Sequence, residues 1–212
     1  LHLLSRRQRQ MCIRDSSYDI NNDNGIKALT LVKDLVDAGS MSKEVINWTQ
    51  GDVMNQFISG NIAMMVNGPW QVPTMREQAP DLNWDVTLLP KDAEYASCLG
   101  GENFGVIDGD NVDAALDFLQ FATSKDEVAS YIDDFGYIAA RKDVAEGQFT
   151  DDETMQKFTE EMQYAQPRGP HAQWPEISDA LSLAVNESIT GTSTPADAAA
   201  KAQSTIDGIL AE

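Results

Sequence analysis

The chain has 212 residues, of which 34 are Asp or Glu and only 15 are Lys or Arg, for a formal net charge of −19. That length is enough for one or two domains around a sizeable core. The acidic balance argues against a nucleic-acid partner, which calls for basic surface. No apolar run approaches the roughly 20 residues of a membrane-spanning helix. Two cysteines, Cys12 and Cys98, and two histidines, His2 and His171, lack metal-ligand spacing, so neither a metal nor another cofactor is expected.

Residues 1–16, LHLLSRRQRQMCIRDS, stand apart from the rest. They carry four of the basic residues against one acid and show no helix or strand period. They could pass for a basic targeting arm. However, Arg6 to Ser16 is similar to the translation of a sequencing adapter, residue for residue. The expectation is that the native sequence begins near Ser17 with its upstream part missing, which removes Cys12 from any redox argument.

Residues 18–24 are polar and rich in turn formers. Ile26, Leu29, Val32, Leu35 and Val36 share one stripe of a helix predicted over 26–38, with Gly39 as its cap. Residues 41–48 connect to the central stretch 51–70, GDVMNQFISGNIAMMVNGPW. Thr49 or Gln50 opens a helix with Asp52 in its first turn, where negative charge suits the helix dipole. Val53, Met54, Phe57 and Ile58 form its apolar face, and Gly60 supplies a left-handed C-terminal cap. The run 62–66 has strand length and continuous apolarity, which predicts a strand buried on both faces. Asn67-Gly68-Pro69 breaks it: glycine permits positive φ, and proline fixes the next φ. Trp70 then falls between a strand end and a helix start, the edge where ligands bind in open α/β sheets. It reads equally as a core aromatic or as a binding platform.

A short helix to about residue 78 ends at Pro80. Trp84, Val86 and Leu88 alternate as a strand stopped by Pro90. After a polar crossing over 91–97, Cys98 reads as a small semi-buried residue. Gly100-Gly101 precedes a strand and lets backbone approach something closely, with Glu102 and Asn103 beside it. Helices are predicted over 112–122, from a Ser124–Glu127 capping box to about 135, and from a Thr150–Glu153 capping box to about 163. A loop, PRGPHAQW, leads to a long helix with Trp174 at the N-cap and Pro175 at N1, ending at Thr190 before Gly191. The last helix opens at Thr194-Pro195, with Asp197 at N3, and runs to Leu210.

The order of these motifs resembles the family 1 extracellular solute-binding proteins of ABC importers, the group of the maltose-binding protein. The resemblance rests on the helix–glycine–strand–NGPW stretch, the LP before the crossing, the GG-x-N loop, the Gly136-Tyr137 segment, and the long helix followed by G-x-x-(T/S)-P-x-x-A. It covers about residues 18–210. Ala139-Ala140 stands where proline is common, which removes one source of rigidity there. The resemblance implies an α/β fold of the periplasmic-binding-protein-like type II, two lobes about a hinge, truncated here with most of the N-terminal lobe missing. It places 17–90 and 141–212 in the second lobe. It makes 91–140 the hinge crossing and a first-lobe segment. It also implies an extracytoplasmic protein, in a periplasm or as a surface lipoprotein, that is monomeric and hands its ligand to ABC permease subunits.

A sugar presents an apolar ring face fringed by hydroxyls, which calls for aromatic platforms beside carboxylates and amides. Trp70 and Trp174 are the candidate platforms. Glu102, Asn103, Asn67 and His171 are candidate hydroxyl partners, with Gln173 and Arg168 behind them. Gly101 is the point of close approach, and Tyr137 reads as a sugar contact or a structural tyrosine. Each polar residue taken singly also reads as ordinary surface; their grouping near element ends favours a site. A glycoside-acting enzyme would need a positioned carboxylate pair, and no motif here positions one. A binder of a non-sugar solute and an acidic interaction domain are the other readings.

Overall fold

The computed structural model describes residues 18–168 and 171–211. The expectation for residues 1–16 lies outside them. The chain divides into two units, one from residues up to Trp48 together with those beyond Gly169, the other Thr49–Arg168.

The first unit is helical. Among its described residues are α1 (Asp23–Asp37), a 3-10 turn (Lys43–Asn47) and two long helices. Asn22 caps α1 by accepting the N–H groups of Asn24 and Gly25, three residues before the predicted start. A short polar side chain ahead of an apolar stripe is a strong start signal. Gly39 takes the left-handed conformation expected of it, at φ 71°. The two long helices are Trp174–Thr190 and Pro195–Leu210. They pack on α1 through small side chains: Leu29 meets Ala184, Ala198, Ala199 and Ala202, all buried. Ile177, Ala180 and Ile206 form the adjoining cluster. The alanines bring the backbones close and lose no side-chain entropy on burial.

The second unit holds, in chain order, α2 (Gln50–Ile58), a 3-10 turn (Pro69–Gln71), α3 (Val72–Gln78), β1 (Ser97–Leu99), α4 (Val112–Ala122), α5 (Lys125–Tyr131), a 3-10 turn (Asp133–Phe135), α6 (Lys142–Ala145), α7 (Glu153–Glu161) and β2 (Ala165–Pro167). The long helices of the first unit are then α8 and α9. Thr49 and Asp52 form a reciprocal capping box on α2, and Gly60 closes it at φ 71°. β1 and β2 pair in parallel, with Ser97 opposite Ala165 and Leu99 opposite Pro167. Tyr95 and Tyr164 stack just ahead of this pair, ring centroids 4.9 Å apart, and Lys91 lies over the Tyr95 ring.

Several sequence expectations are corrected here. Residues 62–66 are irregular, with a bend at Ala63, and belong to no strand among the described residues, with Met64 86% and Val66 75% exposed. Their apolar run is a strand sequence without a neighbour to pair with. The same holds for the strand predicted to follow Gly100-Gly101, where Ile107 is 92% exposed. Trp84, Val86 and Leu88 keep the predicted alternation, half-buried beside exposed Asn83, Asp85 and Thr87, yet no strand forms there. Cys98 is exposed, not semi-buried. Ser124 occupies the N-cap of α5 without a side-chain capping bond. The cap of α7 is Asp152, not Thr150: its carboxylate accepts from Met155 N–H and is gripped by both terminal nitrogens of Arg76, at 2.7 and 2.8 Å. Gln173 takes the N-cap of α8, so Trp174 is its first residue.

Candidate ligand-binding residues

The turn that carries Trp70 is built by packing. Asn67 Nδ2 donates to the Gln50 carbonyl (3.1 Å) and its Oδ1 accepts from Gly68 N–H (3.0 Å). The turn is thereby pinned to the first residue of α2. Gly68 has φ −105°, so positive φ is not the reason for glycine there. The reason is space: a Cβ at Gly68 would lie 2.1–2.3 Å from the six-membered ring of Trp70. Pro69 begins the 3-10 turn and Trp70 is half-buried, with its ring folded onto the Gly68 backbone.

The predicted Gly136-Tyr137 segment closes on this turn. Gly136 is left-handed at φ 66°, and a Cβ there would meet the Pro69 carbonyl and Pro73 Cδ at 2.8 Å. Both conformation and contact demand glycine. Tyr137 then lies against Trp70, ring centroids 6.2 Å apart and tilted 34°. Phe135, 58% exposed, extends the row at 6.5 Å from Tyr137. The result is a set of three aromatic rings on a glycine-lined base. Each ring keeps part of its surface in solvent. Sequence reasoning did not pick out Phe135, although its place beside Gly136-Tyr137 was a usable signal.

The Tyr137 backbone is held by a residue that no motif marks. Gln148 Oε1 accepts from Ala139 N–H (2.7 Å), while Nε2 donates to the Tyr137 carbonyl (3.1 Å) and to Asp133. Beside it, Arg141 forks onto Asp143 and holds that carboxyl below the usual range, with Lys125 adding to the effect. Asp152 is likewise held low, first by the hydrogen bonds from Arg76.

Trp174 and His171 sit in the first unit. The Trp174 ring is half-buried against Tyr18, centroids 6.0 Å apart, over the Ile177–Ile206 cluster. His171 is half-buried; its Nδ1 accepts from Gln173 N–H (3.1 Å) and its carbonyl from Trp174 N–H (3.0 Å). The imidazole thus shapes the entry to α8. Gly101, Glu102 and Asn103 are exposed in the irregular segment after β1, and a Cβ at Gly101 would meet nothing within 4 Å. The structure therefore brings Asn67, Trp70 and Tyr137 together in the second unit, has Trp174 and His171 in the first, and leaves Glu102 and Asn103 exposed. Arg168 is exposed as well. Among the described residues no group of three or more His, Cys, Asp or Glu side chains could hold a metal ion.

The sequence profile of the bacterial extracellular solute-binding proteins matches residues 13–157. Candidate binding proteins of Brucella abortus and Brucella suis are 26% identical over 197 residues, covering 89% of this chain and 48% of theirs. The chain thus spans about half the length of the curated relatives it matches. A solute-binding protein of an ABC transporter from Thermotoga lettingae, solved with α-D-tagatose, superposes with a TM-score of 0.76 at 27% identity, over 90% of this chain and 50% of that one. A Listeria monocytogenes substrate-binding protein in complex with cycloalternan gives 0.73 at 20% identity, over 92% and 52%. The fold is that of about half of such a protein, and these relatives are binders of solutes, not enzymes.

Proposed function

Because the chain belongs to the bacterial extracellular solute-binding protein family, we propose that it forms part of the carbohydrate-binding component of an ABC importer. The observation that carries this reading is the aromatic row of Trp70, Tyr137 and Phe135 on the Gly68–Gly136 base. Such rings offer flat, apolar area at low entropic cost, which suits the ring face of a sugar. Trp174, backed by Tyr18, is the second platform. Glu102 and Asn103 are free to turn toward hydroxyls, whereas Asn67 spends its amide on the turn and acts by fixing Trp70. Tagatose in the Thermotoga protein and cycloalternan in the Listeria protein point to the same ligand class.

In this reading the whole protein acts without catalysis. It works as a monomer outside the cytoplasm, free in a periplasm or held at the surface as a lipoprotein. Two lobes close on the sugar, and the closed form is presented to the permease subunits. Residues 17–90 and 141–212 contribute to the second lobe and 91–140 to the crossing and the first lobe. Leu89, whose N–H donates to Glu161 Oε2 (3.2 Å), and Tyr137 mark the hinge. The test is tryptophan fluorescence of the whole protein titrated with a panel of mono- and oligosaccharides. A saturable shift with one sugar class is expected; a folded protein with no response to any sugar would redirect the search to other solutes.

A further inference from the structure

Gln148 and Gln203 share one geometry. Gln148 accepts Ala139 N–H and donates to the Tyr137 carbonyl, with its second amide hydrogen on the Asp133 carboxylate. Gln203 accepts Ile20 N–H (2.9 Å) and donates to the Tyr18 carbonyl (2.7 Å), with its second amide hydrogen on Asp207 (2.8 Å). In each case one side-chain amide takes the carbonyl of residue i and the N–H of residue i+2. That is how one residue of a parallel neighbour pairs with a strand. The amide orientation is fixed by the partners, since a backbone N–H must face oxygen and two acceptors must face the NH2 group.

Both segments held in this way begin with a tyrosine stacked on a candidate platform: Tyr137 on Trp70 and Tyr18 on Trp174. Residues 137–139 and 18–20 belong to no strand; Tyr137 N–H donates to the Ile132 carbonyl (3.3 Å), and the glutamine amide takes the carbonyl of each tyrosine. Gln148 is itself delivered by a constrained turn: its neighbour Phe149 is left-handed at φ 56°, and Gln156 Nε2 donates to the Phe149 and Thr150 carbonyls. At Ala139-Ala140, moreover, no proline stiffens the chain.

We propose that Gln148 and Gln203 are positioning residues for the two aromatic platforms, each standing in for a missing strand neighbour beside the tyrosine that backs a tryptophan. The proposal rests on the platform reading of Trp70 and Trp174 for its functional weight, and its structural half is tested without ligand. The whole protein is labelled with 5-fluorotryptophan and the resonances of Trp48, Trp70, Trp84 and Trp174 are assigned by single Trp→Phe variants. Gln148→Met, which keeps length and loses every hydrogen bond, should displace the Trp70 resonance and leave Trp174 in place. Gln203→Met should do the converse. Displacement of all four resonances, or of none, would overturn the proposal.

Gln148→Glu supplies a second check. At neutral pH its carboxylate faces Asp133 and the Tyr137 carbonyl, with Lys125 and Asp143 lining the same open pocket. A carboxylate cannot donate to the Asp133 and Tyr137 acceptors, so the variant should resemble Gln148→Met at neutral pH. It should return toward wild type on acidification, when a carboxylic acid can again donate and accept. A Trp70 resonance in Gln148→Glu that ignores pH would count against the clamp. With a sugar that shifts wild-type Trp70, Gln148→Met should weaken affinity by about tenfold, as loss of hydrogen bonds to one segment would do. A wild-type protein in which no sugar moves either resonance overturns the platform reading and leaves the ligand-free result to decide the positioning.

Discussion

At the scale of single residues, the two glycines under the aromatic row carry the sharpest expectations. Gly136→Ala forces a side chain into left-handed backbone and into the Pro69 carbonyl. It should cost about 1–3 kcal/mol in denaturant unfolding. Gly68→Ala has ordinary φ, and its Cβ meets the Trp70 ring first, so the ring must swing away. Its stability loss should be smaller than that of Gly136→Ala, while Trp70 fluorescence changes more; the reverse ranking would mean that the contact is misread. The sequence showed that this turn was special, because Asn-Gly-Pro-Trp joins a breaker, a fixed φ and a large aromatic. It did not show that Gly68 is there for space, since that depends on where the indole folds. Nor did it show Gln148, whose partners are backbone groups that look alike in every sequence. Asn67 has the side chain of a hydroxyl partner, but one already hydrogen-bonded at both ends has little left to offer a ligand.

Helix ends show how far local chemistry reaches. Thr49, Gly60, Gly191 and Thr194 cap where the sequence places them, because each signal is complete within a few residues. Ser124 takes its predicted N-cap position without a side-chain bond, and Thr150 is not the cap of α7. At α7 the deciding partner is Arg76, far away in sequence, which fixes Asp152 as the cap. Asp152→Ala should therefore cost about 1–2 kcal/mol and Thr150→Ala little in thermal or denaturant unfolding; equal losses would restore Thr150 as the cap. The Asp152 carboxyl is held below its ordinary pKa by Arg76 and by the α7 backbone. A carboxyl lowered on folding contributes stability that is fully present above its unfolded value, near ~4, and is lost as pH falls through its lower native value. Asp152→Asn should remove that contribution and make the acid limb of the unfolding curve shallower. An acid limb unchanged by the substitution would contradict this.

Strand reading failed for a different reason. A helix closes its own hydrogen bonds, whereas a strand is completed by neighbours that the local sequence does not specify. Residues 62–66 and 105–107 have strand composition and stay unpaired among the described residues, and α4 buries none of its side chains, with Phe118 61% exposed.

For the molecule as a whole, the family, the helical scaffold and the aromatic turn were legible from the order of the motifs. The paired sheet was largely not. Patches of exposed apolar surface of this kind bind other apolar surfaces. The 212-residue chain should therefore bind an apolar dye such as ANS, and Met64→Lys with Ile107→Lys should reduce that binding severalfold; weak dye binding by the unmodified chain would show those segments to be covered. The decisive experiment is calorimetric titration of the whole protein, as wild type and as Trp70→Ala, with the sugar that shifts its fluorescence. Loss of the Trp70 ring should weaken affinity at least about tenfold, or ~1.4 kcal/mol, with the protein still folded by circular dichroism. Unchanged affinity in a folded Trp70→Ala protein would contradict the reading of this aromatic row as the sugar platform.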